Sequence, residues 1–456
     1  KKSKNIKIFF ASGFKNIINN LKEDLGMKAK KITALALASI MVVSTALTGC
    51  GGGSGSGDGG SSSSGSSGDV TEVTFWTLNT KQGAVDPIVE AFNESHDDIK
   101  VTPSYYDTDG QKDACKVAAS SKTLPNMWFN WGGSLGSFYV DNGLTYDLTA
   151  YAEENNWAEK FNSNALNLCT FDGKVSGYPV SYNVLGIYYR KDIFEQYGLE
   201  VPTTFEEFEQ VCATLKENGV TPISTGGLYG WHTMRFLELL IEHYAGSELH
   251  DKMNTFDESW DNDAVAQAFE KYQEFVDKGY FPDGFLTQDP NDTLIAMANG
   301  QCAMDVQGQW QDGKILQEEQ DINNYGVFAF PSGDTNRMSS FSEMIQFNAD
   351  NTDEELQACI EFVDYYQSQE NVDQYSEYYN QPIPTADPEM PENQPNIPTM
   401  IDLGKENGTF TITDQAFPTE VADVLFNCQD AVANGEMQPD EVGAKIQEAI
   451  DCYNSK

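Results

Sequence analysis

Apolar residues recur along this chain with one of two periods, and the period assigns the element. Val73-Thr74-Phe75-Trp76-Thr77-Leu78 concentrates β-branched and aromatic residues and predicts a strand, followed by Val85, Ile88, Val89 and Phe92 at helical spacing. A second strand is predicted over Ile99 to Tyr106, a helix over Gln111 to Lys122 and a third strand over Asn126 to Trp131. Alternation of this kind implies parallel strands covered by helices. A second series opens with a strand at Leu185 to Tyr189. Thr203, with Glu206 three residues later, reads as a capping box opening a helix that runs toward Gly219. Val265, Phe269, Tyr272 and Val276 line one face of a further helix that Gly279 can end, and more helices follow near Glu354 to Gln369 and Pro439 to Tyr453.

One apolar stretch has neither period. Ile32 to Leu47 is a run of Ala, Leu, Ile, Val and Met broken only by Thr33, Ser39, Ser44 and Thr45, and the basic segment Met27 to Lys31 precedes it. It is shorter than the about 20 apolar residues of a membrane span and has the layout of an export signal. Leu47-Thr48-Gly49-Cys50 resembles a bacterial lipobox, which implies a signal peptide over 27–49 and lipidation at Cys50. Gly51 to Gly68 contains no apolar residue, so 50–69 reads as a tether with a span of about 20 to 25 Å. Residues 1–26 precede the expected start at Met27 and are expected to be an upstream artefact.

Charge changes the picture of partners. Nine lysines and two acidic residues lie before Cys50, which leaves 19 Lys and Arg against 68 Asp and Glu beyond it. A body this acidic repels phosphate backbones, and no basic stripe interleaved with aromatics is present, so nucleic acid is not an expected partner. Seven cysteines follow Cys50, at 115, 169, 212, 302, 359, 428 and 452, with no CxxC or Cys/His ligand spacing. Several fall inside helical patterns, where a thiol packs as a small hydrophobe; a disulfide among them stays open. No metal or cofactor motif emerges: Walker A and HExxH are absent, and Asp107-Thr108-Asp109-Gly110 holds only a fragment of a calcium loop, better read as a solvated turn.

The order of motifs resembles the extracellular solute-binding proteins of carbohydrate ABC transporters, the family that includes maltose-binding proteins. The resemblance is carried by Phe75-Trp76-Thr77, by Leu124 to Phe129 and by "GIYYRKDIFEQYGLEVPTTFEEF" from Gly186 to Phe208. It continues in "GQCAMDVQGQW" from Gly300 to Trp310, "FAFPSGD" from Phe328 to Asp334 and "PIPT" from Pro382 to Thr385. It covers nearly all of Val70 to Lys456. The implied fold is α/β and periplasmic-binding-protein-like, with two lobes, each with a central mainly parallel sheet, joined by hinge crossings. Motif position places the crossings near Ser181 to Val184, Phe330 to Ser332 and Thr385 to Asp387. Lobe 1 is then 70–182 plus 332–385, and lobe 2 is 183–331 plus 386–456. The implied function is capture of a carbohydrate ligand for ABC transporter permease subunits by a monomer held at the outer face of the membrane through its lipid anchor.

Ligands of open α/β sheets sit beyond the carboxyl ends of the strands. Trp76, Thr77 and Asn79 close the first strand; Asn130, Trp131 and Gly132 close the third. A sugar offers C–H faces and hydroxyl edges, which call for a flat aromatic beside amides or carboxylates. Trp131 beside Asn130 supplies that pairing, and Trp231 lies in the Gly-rich "STGGLYGWH" loop. In the resembling family the ring at Trp310 stacks on sugar, and Tyr182, Ser342 and Glu343, near the expected crossings, are candidates to bond hydroxyls.

Gly132-Gly133-Ser134-Leu135-Gly136 also fits GxSxG and follows a strand, as a nucleophile elbow does. A serine hydrolase would need one of His96, His232, His243 or His250 as base, and a glycoside hydrolase a pair of flanking carboxylates. The surrounding motifs favour binding without catalysis, with the glycine loop exposing backbone to ligand. A glycan-binding adhesin without a transporter is the remaining alternative.

Overall fold

The structure, a computed structural model, describes residues 70–333, 335–379 and 392–455. Cys50, the signal and tether, the "PIPT" motif and the crossing expected near Thr385 to Asp387 lie outside the described residues.

The strands are β1 (Thr71–Leu78), β2 (Ile99–Tyr106), β3 (Met127–Trp131), β4 (Thr170–Phe171), β5 (Lys174–Val175), β6 (Tyr178–Arg190), β7 (Thr221–Ser224), β8 (Cys302–Gly308), β9 (Tyr325–Phe328), β10 (Met338–Phe347) and β11 (Thr409–Thr411). β4 and β5 form a separate small hairpin. The others make one sheet in the order β2-β1-β3-β10-β6-β8-β7, with β11 beside β10 and β9 beside β6. At one flank β1 runs parallel to β2 and β3; at the other β7 runs parallel to β8. Between them β10 is antiparallel to β3 and β6, and β6 is antiparallel to β8. The first parallel group arises as the sequence predicts, because helices Gln82–Ser95 and Thr108–Ser121 return the chain between its strands.

Two hydrophobic cores give the molecule two lobes. One gathers Val73, Phe75, Ile88, Phe92, Val101, Met127 and Phe362; the other gathers Ile187, Phe208, Leu237, Phe269, Val306, Val421 and Ile446. β6 enters the first core at Tyr178 and the second at Leu185, while β10 gives Phe341 to the second core and Ile345 to the first. The two long strands therefore cross between lobes side by side, with a register shift between Glu343 and Met344.

The capping box is displaced by one residue from its expected place. Helix Phe205–Glu217 is capped by Thr204, whose hydroxyl accepts from Glu207 N, and Glu207 reaches back to the N–H groups of Thr203 and Thr204. Thr203 and Glu206 give way because the first helical residue is Phe205, which makes Glu207 the third. Asp107 is likewise a helix cap, accepting from Gly110 N at 2.6 Å, and not a solvated turn.

Candidate functional site

The parallel strands of both flanks direct their carboxyl ends toward a cleft between the lobes. After β1 come Thr80 and Lys81, after β2 Thr108, and β3 ends on Trp131. From the other side come Trp231 and Arg235, at the start of helix Trp231–Asn254, with Gln307 near the end of β8 and Trp310 just beyond it. Phe341 and Glu343 of β10 line the same space, about 670 Å³ when its opening to solvent is included. A second compartment of about 350 Å³ shares Trp131, Trp231, Arg235 and Phe341 and adds Lys112 and Asp414.

Cations and indoles alternate in this cleft. Lys112 Nζ lies 5.0 Å from the centre of the Trp131 ring and 5.6 Å from that of Trp231. The Arg235 guanidinium lies 4.6 Å from Trp231 and 5.0 Å from Trp310. These distances are within the range of cation–π attraction. Gln307 Oε1 fixes two members, accepting from Trp310 Nε1 at 3.0 Å and from Arg235 Nη1 at 3.3 Å. The indole N–H of Trp231 donates to Asp109 Oδ1 at 3.3 Å. Trp231 and Trp310 are thus each engaged through both the N–H and the ring face, which sets the ring's orientation.

Beneath these rings the polar groups are buried and paired. His232 Nδ1 accepts from Gly226 N at 3.1 Å, and Nε2 faces Asp305 Oδ1 at 3.1 Å. Burial pushes the His232 pKa down against the pull of Asp305, which keeps the imidazole neutral with its proton on Nε2. Lys81 Nζ donates to Tyr379 O at 2.7 Å; burial lowers its pKa to about 8, with the Glu343 carboxylate opposing. Glu343 accepts from Ser181 Oγ at 2.7 Å, which ties β10 to β6 where both strands cross.

Of the residues singled out from sequence, Trp131, Trp231, Trp310 and Glu343 are brought together on this cleft. Five others are not. Asn130 bonds Gln346 Oε1 at 2.7 Å and Leu135 O, and Ser342 Oγ donates to Ser181 O at 3.0 Å. Successive strand residues point to opposite faces, so Trp131 and Glu343 reach the cleft while the neighbouring Asn130 and Ser342 turn away from it. Trp76 packs on Tyr106 with ring centres 5.2 Å apart, beside Cys115 and Trp128. Tyr182 bonds Ser340 Oγ and Thr409 Oγ1 beside the crossing, and Asn79 is exposed, outside the lining that its neighbours Leu78 and Thr80 supply. The cations Lys81, Lys112, Arg235 and Lys314, with Gln307, were not read from sequence. Arg235 alone carries a local signal, one helical turn after Trp231.

The GxSxG loop has a packing role. Ser134 Oγ donates to Asp414 O at 3.0 Å, while His96, His232, His243 and His250 bond Phe92 O, Gly226 N, Ser332 O and Glu242, so no histidine base stands at the serine. Gly133 has φ +61°, and a Cβ there would lie 2.3 Å from Gln415 O. At Gly133 the loop packs closely on Gln415, while Gly133 and Ser134 also line a separate open space shared with Asp251, Thr255 and Tyr453. Among the described residues no cluster of His, Cys, Asp or Glu could hold a metal ion, no helix is long and apolar enough to cross a membrane, and all seven cysteines are free.

The family model described as "Bacterial extracellular solute-binding protein" matches residues 87–399. The chain belongs to the bacterial extracellular solute-binding proteins. Among curated relatives of this solute-binding protein, the "Multiple sugar-binding protein" of Streptococcus mutans is 25% identical over 284 residues, covering 60% of this chain and 64% of that protein. An uncharacterized ABC transporter extracellular-binding protein of Pyrococcus horikoshii is 23% identical over 322 residues, covering 67% and 70%. Among solved structures, a chitin oligosaccharide binding protein superposes with a TM-score of 0.78 at 22% identity, over 85% of this chain and 100% of that one. A maltose-bound MalE3 of T. maritima gives 0.72 at 18% identity, over 84% and 99%. These similarities match the two-lobed fold.

Proposed function

We propose that this solute-binding protein captures an oligosaccharide or monosaccharide in the cleft between its lobes and delivers it to an ABC transporter permease. The observation that carries the reading is the convergence of Trp131, Trp231 and Trp310, from three separate segments and both lobes, on one cleft edged by hydrogen-bonding side chains. Indole faces suit the C–H faces of sugar rings, and Gln307, Arg235 and Glu343 suit their hydroxyls. The sugar-binding relative and the oligosaccharide-binding structural neighbours support the same reading. No bond is made or broken; preferential binding to the closed arrangement of the lobes drives closure.

The lobes expected from sequence, 70–182 plus 332–385 and 183–331 plus 386–456, are kept in this proposal except where β10 crosses between them. Phe341 and Ile345 lie in different cores, which supports moving the second crossing from Phe330–Ser332 onto β10 itself. Cys50 anchors a monomer by lipidation to the outer membrane face. The test is calorimetric titration of the protein with mono- and oligosaccharides, repeated on Trp131→Ala and Trp310→Ala. Saturable binding of one sugar series, weakened in both variants, is expected. If both variants bind the identified sugar as wild type does, the cleft assignment is wrong.

A further inference from the structure

The cleft inverts the charge of the protein that surrounds it. Beyond Cys50 acidic residues outnumber basic ones more than threefold, 68 against 19. Yet the larger compartment is lined by Lys81, Arg235 and Lys314 with Glu343 as its one carboxylate, and the second by Lys112 and Arg235 with Asp414. An acidic surface needs no such concentration of cations in a site for a neutral ligand.

Two of these cations are incompletely satisfied. Arg235 is only 8% exposed and bonds Gln307 through Nη1, while its buried Nε has no hydrogen-bond partner. Lys314 lines the same cleft and, among the described residues, has neither a hydrogen bond nor an ion pair; it lies in the fields of Arg235, Asp305 and Asp289. Burial and the like charge of Arg235 push the Lys314 pKa down. Asp305 attracts both cations but bonds neither, its contacts being to Gln307 and His232, so an anion that enters the cleft relieves their mutual repulsion and supplies hydrogen-bond partners they lack.

We infer that the captured saccharide is itself anionic, with a carboxylate or phosphate group seated against Arg235 and Lys314 while its rings meet the tryptophans. The inference rests on the saccharide reading above and narrows it to acidic sugars. Guanidinium suits this task because its planar fork bonds carboxylate and phosphate oxygens in pairs.

The experiment is calorimetric titration of the whole protein with two neutral trisaccharides, maltotriose and xylotriose, and with two acidic probes, trigalacturonate and glucose 6-phosphate, at low and at high salt. At least one acidic probe is expected to bind more tightly than both neutral sugars by about tenfold or more, a free-energy difference of about 1.4 kcal/mol. That preference is expected to shrink as salt screens it. The probe that binds distinguishes carboxylate from phosphate. Lys314→Met and Arg235→Gln are expected to narrow the preference. Neutral sugars binding as tightly as acidic ones would overturn the inference and leave the saccharide reading standing; no binding by any of the four would count against both. A preference that survives in both variants would overturn the assigned position. Should Arg235→Gln fail to fold, Lys314→Met and the salt dependence still decide.

Discussion

The indole N–H of Trp231 donates to a carboxylate oxygen of Asp109 at 3.3 Å, and the two residues belong to different lobes. Trp231 begins the helix that follows β7; Asp109 lies in the first turn of the helix that follows β2. Burial raises the Asp109 pKa, and Lys112, 3.5 Å away, pulls it back toward the ionised form. Lys112 and Arg235 both lie over the Trp231 ring, so a ring proposed to meet ligand also bonds across to the other lobe.

Removing that bond is expected to weaken the closed state. Asp109→Ala deletes the acceptor, and a hydrogen bond to a charged group contributes about 1.5 to 3 kcal/mol. The Asp109 carboxylate is partly exposed, so a loss at or below the low end is expected, about tenfold in affinity and mostly through faster release. Asp109→Asn retains an acceptor oxygen and is expected to keep most of the affinity. Stopped-flow release rates of the two variants make the comparison; equal rates in both would mean that the pair does not hold the lobes together.

Indole truncation separates stacking from packing. Trp131 also meets Phe129 edge to face at 5.0 Å, whereas Trp231 is half-buried and touches mainly cations. Trp131→Ala is therefore expected to lower both ligand affinity and melting temperature, and Trp231→Ala chiefly affinity. An aromatic contact is worth about 0.5 to 1.5 kcal/mol beyond its buried area, so each loss is expected to reach about tenfold. Titration and thermal melts run on the same samples read the two effects separately.

What the sequence disclosed depended on whether the signal was local. The βα alternation and the three cleft tryptophans were legible because each lies beside a strand end or within a short motif, and Glu343 was singled out by its nearness to an expected crossing. The face of a strand was not legible where every position is buried: β3 and β10 are buried throughout, so no polar alternation marks Asn130 and Ser342 as turned away from the cleft. Lys81, Lys112 and Lys314 come from three separate helical segments, and only the folded chain brings them near Arg235. The path of β10 between the cores is likewise a tertiary fact, set by which side chains each core accepts.

The thiols give a test of the packing. Cys115, Cys169, Cys212, Cys302, Cys359 and Cys428 are buried and free, and Cys452 is exposed. Burial pushes Cys115 and Cys169 up to about 12, and Cys302 and Cys428 up to about 11, so little thiolate forms there near neutral pH. A thiol reagent is expected to react quickly with one of these seven and with the rest only on unfolding. Cys452→Ser is expected to abolish the fast phase. A fast phase that persists would mean that a buried thiol opens to solvent in the native state.

Gly133 holds the loop between β3 and helix Ser134–Asp141 against two other segments. Its N–H donates to Leu168 O at 2.8 Å, and its φ of +61° is a conformation that glycine adopts without a side-chain clash. Gly133→Ala adds backbone strain of about 1 to 3 kcal/mol and drives a methyl group toward Gln415 O. A lower melting temperature is expected. Because Gln415 also lines the second compartment of the cleft, weaker ligand binding is expected with it. A variant that melts and binds like wild type would show that the contact yields freely.

Glu238 makes stability depend on pH in a direction opposite to that of a salt-bridged carboxylate. It lies one turn beyond Arg235 on helix Trp231–Asn254, buried, and accepts from Thr413 N at 2.9 Å and Thr413 Oγ at 3.0 Å. Burial raises its pKa from 4.5 to about 8, outweighing the hydrogen bonds from Ser339 and Thr413. At low pH the carboxyl is protonated in both the folded and unfolded chain, and its favourable contribution is complete. As pH rises from 4.5 toward about 8, the unfolded chain ionises first and the folded one resists, so stability is lost across that window. Glu238→Gln keeps an acceptor for Thr413 and cannot ionise. Its stability relative to wild type is therefore expected to rise across the same window and level off above it, by no more than a few kcal/mol. Urea unfolding of both proteins through the window measures the difference, and a difference that stays flat would mean that Glu238 ionises as readily in the fold as in the open chain.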